Sequence, residues 1–300
     1  MYKMHMYRDG TLPPVRPHVR DAHLDILHCS FWVLRAWNHS NLASPYWRLY
    51  WNPEIGAEVH LGERSYPLDP DHLLLIGPNT PFTTRFQAGG RKGTLENVMV
   101  GCPAAEWDGG RQGSDRVVRH FFTHFTAGLP YDAIAPQIFA IPIEATLRAL
   151  LEKIVVQLAS DDQVLNHQQS FCLQALLSYA LGAVPEACWP TPQTDERVLT
   201  VLHFIDEHYH QPLTNNDFAS LATMSPKGIV RLFKDKMRQT PLAYLLQRRL
   251  ERASILLHHT DESIERIADL CGFYDRHHMT NLFKRKFHIG PATYRKSRML

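Results

Sequence analysis

Two stretches near the C-terminus hold side chains whose chemistry suits a nucleic-acid duplex. Wound as helices, one shows Lys227, Val230, Arg231 and Lys234 on its outer face, and the other Arg276, His277, Thr280, Asn281 and Lys284. An Arg fork matches the acceptors on a guanine edge and an Asn amide matches adenine. A Lys ammonium suits phosphate. A single Leu-Phe-Lys on a helix is two core residues and a solvated charge; a doubled and ordered set of them is a different matter.

Other chemistries are less well provided for. His120 and His124 have the four-residue spacing of a metal pair on a helix. Their surroundings read as a strand, and no Glu follows His120. No HxH surrounds His60, and the pairs His258-His259 and His277-His278 lie on helical stretches, where adjacent residues point apart. No GxSxG, phosphate loop or GxGxxG stands out. Neither a metal nor a cofactor is expected, and the chain does not read as an enzyme. The five cysteines are scattered, form no CxxC pair and suit a reducing compartment.

The elements that would carry the duplex-reading side chains repeat. Phe218-Ala219-x-Leu221 recurs as Ile267-Ala268-x-Leu270, 49 residues on. Leu232-Phe233-Lys234 recurs as Leu282-Phe283-Lys284, and Pro241-x-x-Tyr244 as Pro291-x-x-Tyr294, both 50 residues on. The offset changes by one between Ala222 and Ser225 in the first copy and between Cys271 and Asp275 in the second, where a turn absorbs it.

Each copy reads as two short helices joined by a tight turn. In the first, Thr214 caps one helix with Asp217 in the reciprocal position. Ser225 caps the next, and Pro226 opens it. That helix buries Ile229, Leu232 and Phe233. In the second, Ser263 and Asp275 cap the helices, Gly272 supplies a turn with positive φ, and Met279, Leu282 and Phe283 point inward. Between the copies, Thr240-Pro241 starts a helix of roughly 18 residues, about 27 Å long. Its apolar face is Leu242, Leu245/Leu246, Leu250, Ala253 and Leu256/Leu257. A spacer of that length holds two helices near one duplex turn, about 34 Å, apart.

These residues resemble the AraC-type (arabinose-regulator-like) transcription factors. The matching stretches are Ala219…Ser225…Arg231-Leu232-Phe233-Lys234, Pro241-x-x-Tyr244, Arg249-Leu250-x-x-Ala253-x-x-Leu256-Leu257, Ser263-Ile264-x-x-Ile267-Ala268, Cys271-Gly272-Phe273-x-Asp275, and Phe283-Lys284 through Pro291-x-x-Tyr294-Arg295. They cover about a third of the chain. The resemblance implies DNA contact by Lys227, Val230 and Arg231 from the first recognition helix, and by Arg276, His277, Thr280 and Asn281 from the second, with Lys284 beside them. Three positions depart from the family: Arg238 and His288 replace its usual glycines, and Asn281 replaces its usual Arg.

The first half differs in texture. Phe31–Leu34, Trp47–Trp51, Leu73–Ile76 and Val117–Phe122 are short runs of branched and aromatic residues, punctuated by Asn52-Pro53, Gly62, Gly77-Pro78-Asn79, Gly89-Gly90 and Gly109-Gly110. They suggest a sandwich or barrel. The family resemblance implies a cupin-like β-barrel that binds an effector, and Gly56 to Phe82 fits it. Five of the six tryptophans precede residue 110, which suits stacking on a sugar. The candidate effector residues are Arg35, Trp37, Trp51, Glu54, Phe82, His120 and Phe122. Two helical stripes follow, Ile143 to Leu158 and Val164-Phe171-Ala175-Leu176-Tyr179, the second capped from Ser160-Asp161-Asp162. They are read as dimerisation helices.

The expected fold is α+β: a cupin-like barrel with two dimerisation helices over residues 1–184, a proline-containing linker over 185–194, and an all-α domain with two helix-turn-helix units over 195–300. The formal charge of +2 divides unevenly, for residues 195–300 hold 17 Lys/Arg against 12 Asp/Glu. A basic C-terminal domain suits a polyanion. No apolar run approaches the roughly 20 residues of a membrane span, and no signal pattern opens the chain. The expected protein is a cytoplasmic, homodimeric transcription regulator. Its expected partners are double-stranded DNA, a small effector such as a sugar, and RNA polymerase, with no membrane. The alternative is a cupin-type enzyme, such as a sugar isomerase, fused to a DNA-binding module.

Overall fold

The computed structural model describes residues 23–86, 98–107, 117–160, 164–189 and 195–296. The glycine pairs 89–90 and 109–110, the caps Asp161 and Asp162, and residues 190–194 lie outside them.

The branched and aromatic runs pair into antiparallel strands: β1 (Asp25–Leu42), β2 (Trp47–Trp51), β3 (Ala57–Leu61), β4 (Arg64–Leu68), β5 (His72–Ile76), β6 (Phe82–Arg85), β7 (Val98–Pro103), β8 (Val118–Thr126) and β9 (Ile138–Pro142). Their order is β4-β3-β6-β1-β8-β2-β5-β9, with β7 also on β1. The long β1 serves both halves of this nearly closed barrel, pairing with β8 and β7 early and with β6 at its end.

Side-chain alternation sends the strand residues to two cores. On β2, Trp47, Leu49 and Trp51 face outward onto helices α1 (Ala145–Leu158) and α2 (His167–Gly182). Tyr50 faces the barrel interior with Leu34, Trp37, Val59 and Phe82. On β1 the pairing slips between Leu34 and Ala36. This bulge at Arg35 re-aims the strand, so Trp32, Leu34 and then Trp37 all reach the inner core.

Helix α1 buries the expected stripe of Leu147, Leu151, Ile154 and Leu158. Helix α2 departs from expectation twice. Its cap is Asn166, which accepts from Gln169 N at 3.1 Å, while Gln169 Oε1 accepts from Asn166 N at 3.0 Å. Ser160, expected as a cap, instead donates to Gln157 O. The buried face is Leu173, Leu176, Leu177 and Ala180, whereas Val164, Phe171, Ala175 and Tyr179 are exposed. Of the stripe expected from sequence, Leu176 is buried and the other four face solvent, because α2 carries apolar residues beyond the face it buries. Of the stretch read as linker, Cys188 and Trp189 pack on the outer core, with Trp189 against Trp47 and Tyr131.

The rest is helical: α3 (Glu196–His208), α4 (Asn215–Leu221), α5 (Pro226–Met237), α6 (Pro241–His259), α7 (Ile264–Leu270), α8 (Arg276–Phe287) and α9 (Pro291–Lys296). They form two cores. One holds Val201, Ile205, Phe218, Ile229, Phe233, Tyr244 and Leu245, and the other Leu250, Leu257, Ile267, Met279 and Phe283. Helix α6 gives its first half to one core and its second half to the other. Tyr244 takes the buried place expected of Leu242, which is exposed.

Barrel and helices touch along α6. Arg252 pairs with Asp25 at 3.5 Å, Tyr46 packs against His259 with ring centres 5.3 Å apart, and Leu129 packs on the first helical core. A cleft of about 230 Å³ opens there, lined by Asp25, Thr126, Asp206, Arg248 and Arg252 among others.

Candidate functional site

In the first C-terminal unit, α4 is fixed at its start by Asp217, whose carboxylate accepts from Thr214 N and Thr214 Oγ1, both at 2.7 Å. The chain leaves α4 through Thr223, at φ 52°. Ser225 Oγ then accepts from Gly228 N at 3.1 Å, and Pro226 opens α5. Ile229 and Phe233 are buried beneath it. Lys227, Arg231 and Lys234 stand exposed on the opposite face, with Val230 half-buried between them.

The second unit has the same plan. Ser263 Oγ accepts from Arg266 N at 3.0 Å and caps α7. Gly272, at φ 73°, makes the turn. Asp275 caps α8, accepting from His278 N at 2.7 Å. Met279 and Phe283 are buried, while Arg276, His277, Asn281 and Lys284 are exposed and Thr280 is half-buried. All eight side chains expected to meet DNA therefore lie on the two outer faces. Arg276 Nη1 also donates to Glu265 Oε1 at 3.0 Å, which holds the Glu265 carboxyl below its usual range.

Equivalent hydrogen bonds place the one-residue offset. Met224 N donates to Ala219 O in the first turn and Phe273 N to Ala268 O in the second, both at 2.9 Å. The extra residue is thus Tyr274, which is 90% exposed just ahead of α8. Sequence reasoning located the insertion but did not single out this side chain.

Two further positions explain family features. Arg249 donates from Nε to Tyr209 O at 2.7 Å and from Nη2 to Gln211 O at 2.6 Å, tying α6 to the loop before α4. Arg238 and His288, where the family has glycine, end α5 and α8 in the left-handed region at φ 58° and 61°.

Residues 218–297 match the family described as a helix-turn-helix domain. Over these residues the chain is similar to the AraC-type DNA-binding regulators. The transcriptional activator RhaS of Klebsiella pneumoniae (strain 342) is 35% identical over 104 residues, which are 35% of this chain and 37% of that one. The chain thus matches little more than a third of the length of such relatives. Among solved structures, an AraC-type DNA-binding-domain protein from Chromobacterium violaceum is 30% identical, covering 34% of this chain and 92% of its own, with a TM-score of 0.33. ToxT from Vibrio cholerae O395 is 12% identical, covering 90% of this chain and 97% of its own, with a TM-score of 0.48.

Beyond the AraC-type domain, the barrel separates the residues expected to line an effector pocket. Trp37, Phe82, His120 and Phe122 come together inside it. Trp37 and His120 have ring centres 4.5 Å apart, and His120 and Phe122 stack at 5.4 Å. Trp51 does not reach this space; it lies on the opposite face of β2 and donates from Nε1 to Pro70 O at 3.2 Å. The bulge turns Arg35 outward over Trp107, 5.2 Å from the ring centre. Glu54 pairs with exposed Arg119. His124, which alternates with His120 and Phe122 on β8, also points inward, and so does Arg48, which no sequence signal marked. Burial lowers His120 to about 3, and its Nδ1 lies 2.7 Å from Asn52 Oδ1. Among the described residues, no group of three or more His, Cys, Asp or Glu side chains is placed to hold a metal ion.

Proposed function

We propose that this chain is a cytoplasmic, effector-responsive transcription regulator that acts as a homodimer and not as an enzyme. The observation that carries the reading is the pair of matched outer faces on α5 and α8, mounted on one shared helix. Lys227, Val230 and Arg231 on α5, and Arg276, His277, Thr280, Asn281 and Lys284 on α8, are the DNA-contacting set. The 19 residues of α6 span about 28 Å at 1.5 Å per residue, which suits successive major-groove segments of one duplex face.

The barrel is the effector module, and its interior aromatics suit a small polar molecule. The domains divide as 1–184, a linker over 185–194, and 195–300. Phe171, Ala175 and Tyr179 form an exposed apolar stripe on α2, with Val164 exposed ahead of the helix, supporting self-association through that face. RNA polymerase is the further partner an activator would touch.

The test is a duplex titration of the full chain at several salt concentrations. Binding should weaken steeply as salt rises, because Lys and Arg displace condensed counterions. A flat response would remove the electrostatic basis of the assignment. Sedimentation of the Phe171→Glu variant checks the dimer; association unchanged from the parent would place the contact elsewhere.

A further inference from the structure

Arg48 is the least expected side chain in the barrel. It is only 4% exposed, and among the described residues no carboxylate pairs with it. Its Nη2 donates to Ser44 Oγ at 2.7 Å and lies 3.4 Å from Tyr46 Oη. A guanidinium has five N–H donors, and no described residue accepts from Nε or Nη1. The guanidinium carbon sits 4.7 Å from the Tyr46 ring centre and 5.2 Å from that of Phe82. Its strand neighbour His124 is held well below the usual imidazole range by burial first and then by Arg48 itself, so it adds no second positive charge.

A buried charge without a counter-ion is costly, and proteins pair such charges or bind something that does. Here one positive charge stands against the rings of Tyr46 and Phe82, with the phenols of Tyr50 and Tyr294 and the neutral imidazole of His124 near it, and Trp37, His120 and Phe122 continue the aromatic lining from Tyr50. A fork of that kind matches a carboxylate through two parallel hydrogen bonds. One fixed charge balances a monoanion, and aromatic walls suit an apolar or aromatic body. We propose that the barrel interior is a binding site for a small organic carboxylate, with Arg48 as its counter-charge. This rests on the reading of the barrel as an effector module and narrows the effector from a neutral sugar to an acid. The site also adjoins the second domain, since the Tyr46 ring that covers Arg48 packs on His259 of α6.

The experiment is thermal unfolding of the full chain in sodium benzoate, sodium acetate or D-xylose, against sodium chloride at matched ionic strength and pH. Benzoate should raise the midpoint saturably, by about 5 °C when it is roughly a hundredfold above its dissociation constant, and xylose should not. Arg48→Met should abolish the benzoate shift without lowering the midpoint in chloride. Arg48→Lys, which keeps the charge and loses the fork, should reduce the shift. Arg35→Met, at the outward arginine, should leave it intact. A benzoate shift that survives Arg48→Met would overturn the assignment, as would a fall of several degrees in chloride for that variant, which would make Arg48 structural. A xylose shift that also survives Arg48→Met would overturn the carboxylate and leave the effector reading standing. No shift with any of the three would remove both.

Discussion

The two helix-turn-helix units are copies that solve one turn differently. In each, a seven-residue helix leads to a twelve-residue one, and the backbone passes through the left-handed region at the same point. The first unit uses Thr223 there and the second uses Gly272. The first is strained, because a β-branched residue disfavours positive φ. The second is crowded, since a Cβ on Gly272 would lie 2.5 Å from His210 O. The copies also differ in their leading arginine: Arg231 forms no ion pair among the described residues, while Arg276 is held by Glu265. Repetition thus fixes the scaffold, while the turn and the charge on each reading face remain free to vary.

Exchanging the turn residues gives the largest expected effect. Gly272→Ala should destabilise the helical domain by at least about 2 kcal/mol, from the left-handed penalty and the clash with His210. Thr223→Gly should stabilise it by up to about 1 kcal/mol. Chemical denaturation of both variants measures this. If Gly272→Ala were as stable as the parent, the close approach to His210 would be wrong.

Removing the leading arginines comes next. Losing a bidentate base contact costs about 1–3 kcal/mol and relaxes one base pair. Arg231→Ala should lie at the upper end of that range. Arg276→Ala should cost less, because Arg276 must first leave Glu265. Selection from a randomised duplex library should show each variant relaxing a different half of the site. The same consensus for both, with uniform weakening, would turn these residues into phosphate contacts.

A smaller effect tests where the copies agree. Arg238 and His288 end α5 and α8 at positive φ without being glycine. Arg238→Gly and His288→Gly should each stabilise by about 0.5–1 kcal/mol, the left-handed penalty less the chain entropy of glycine. Equal gains in thermal midpoint would show the two ends to be equivalent; a gain at only one would separate them.

These contrasts explain what the sequence made legible. The helical domain could be read because helix caps and buried positions recur at fixed local spacing. Ser225, Asp275, Phe233 and Phe283 mean the same thing wherever the rest of the chain lies. The barrel interior could not, because the face a strand residue occupies depends on distant pairing. One bulge at Arg35 turns that residue out and shifts the inward series from Leu34 to Trp37. On β2, Trp-Arg-Leu-Tyr-Trp is buried throughout, so apolarity did not reveal that Trp51 faces the helices and Arg48 the interior. The face that α2 buries was hidden for a related reason, since the helix is apolar beyond it and Phe171 and Tyr179 stay exposed.

The finest prediction concerns Glu265 alone. Its carboxylate serves Arg276 in the free protein and would stand near phosphate in a complex, so it opposes DNA binding on two counts. An exposed pair of this kind contributes little, so Glu265→Gln should tighten binding by no more than about fivefold. The hydrogen bond from Arg276, then its charge, lowers the Glu265 carboxyl below its usual range. A carboxyl lowered in this way keeps its contribution above the ordinary carboxylate pKa and loses it only as pH falls through the depressed value. The ratio of affinities between Glu265→Gln and the parent should therefore stay constant from about pH 6 to 8, well above carboxylate titration. Fluorescence anisotropy with a fixed duplex reads this ratio. The Arg276→Ala background sharpens it, because most of the gain from Glu265→Gln should vanish there while repulsion from phosphate remains. A full gain in that background would mean that Glu265 acts on the duplex and not through Arg276, and the second unit would then be as unrestrained as the first.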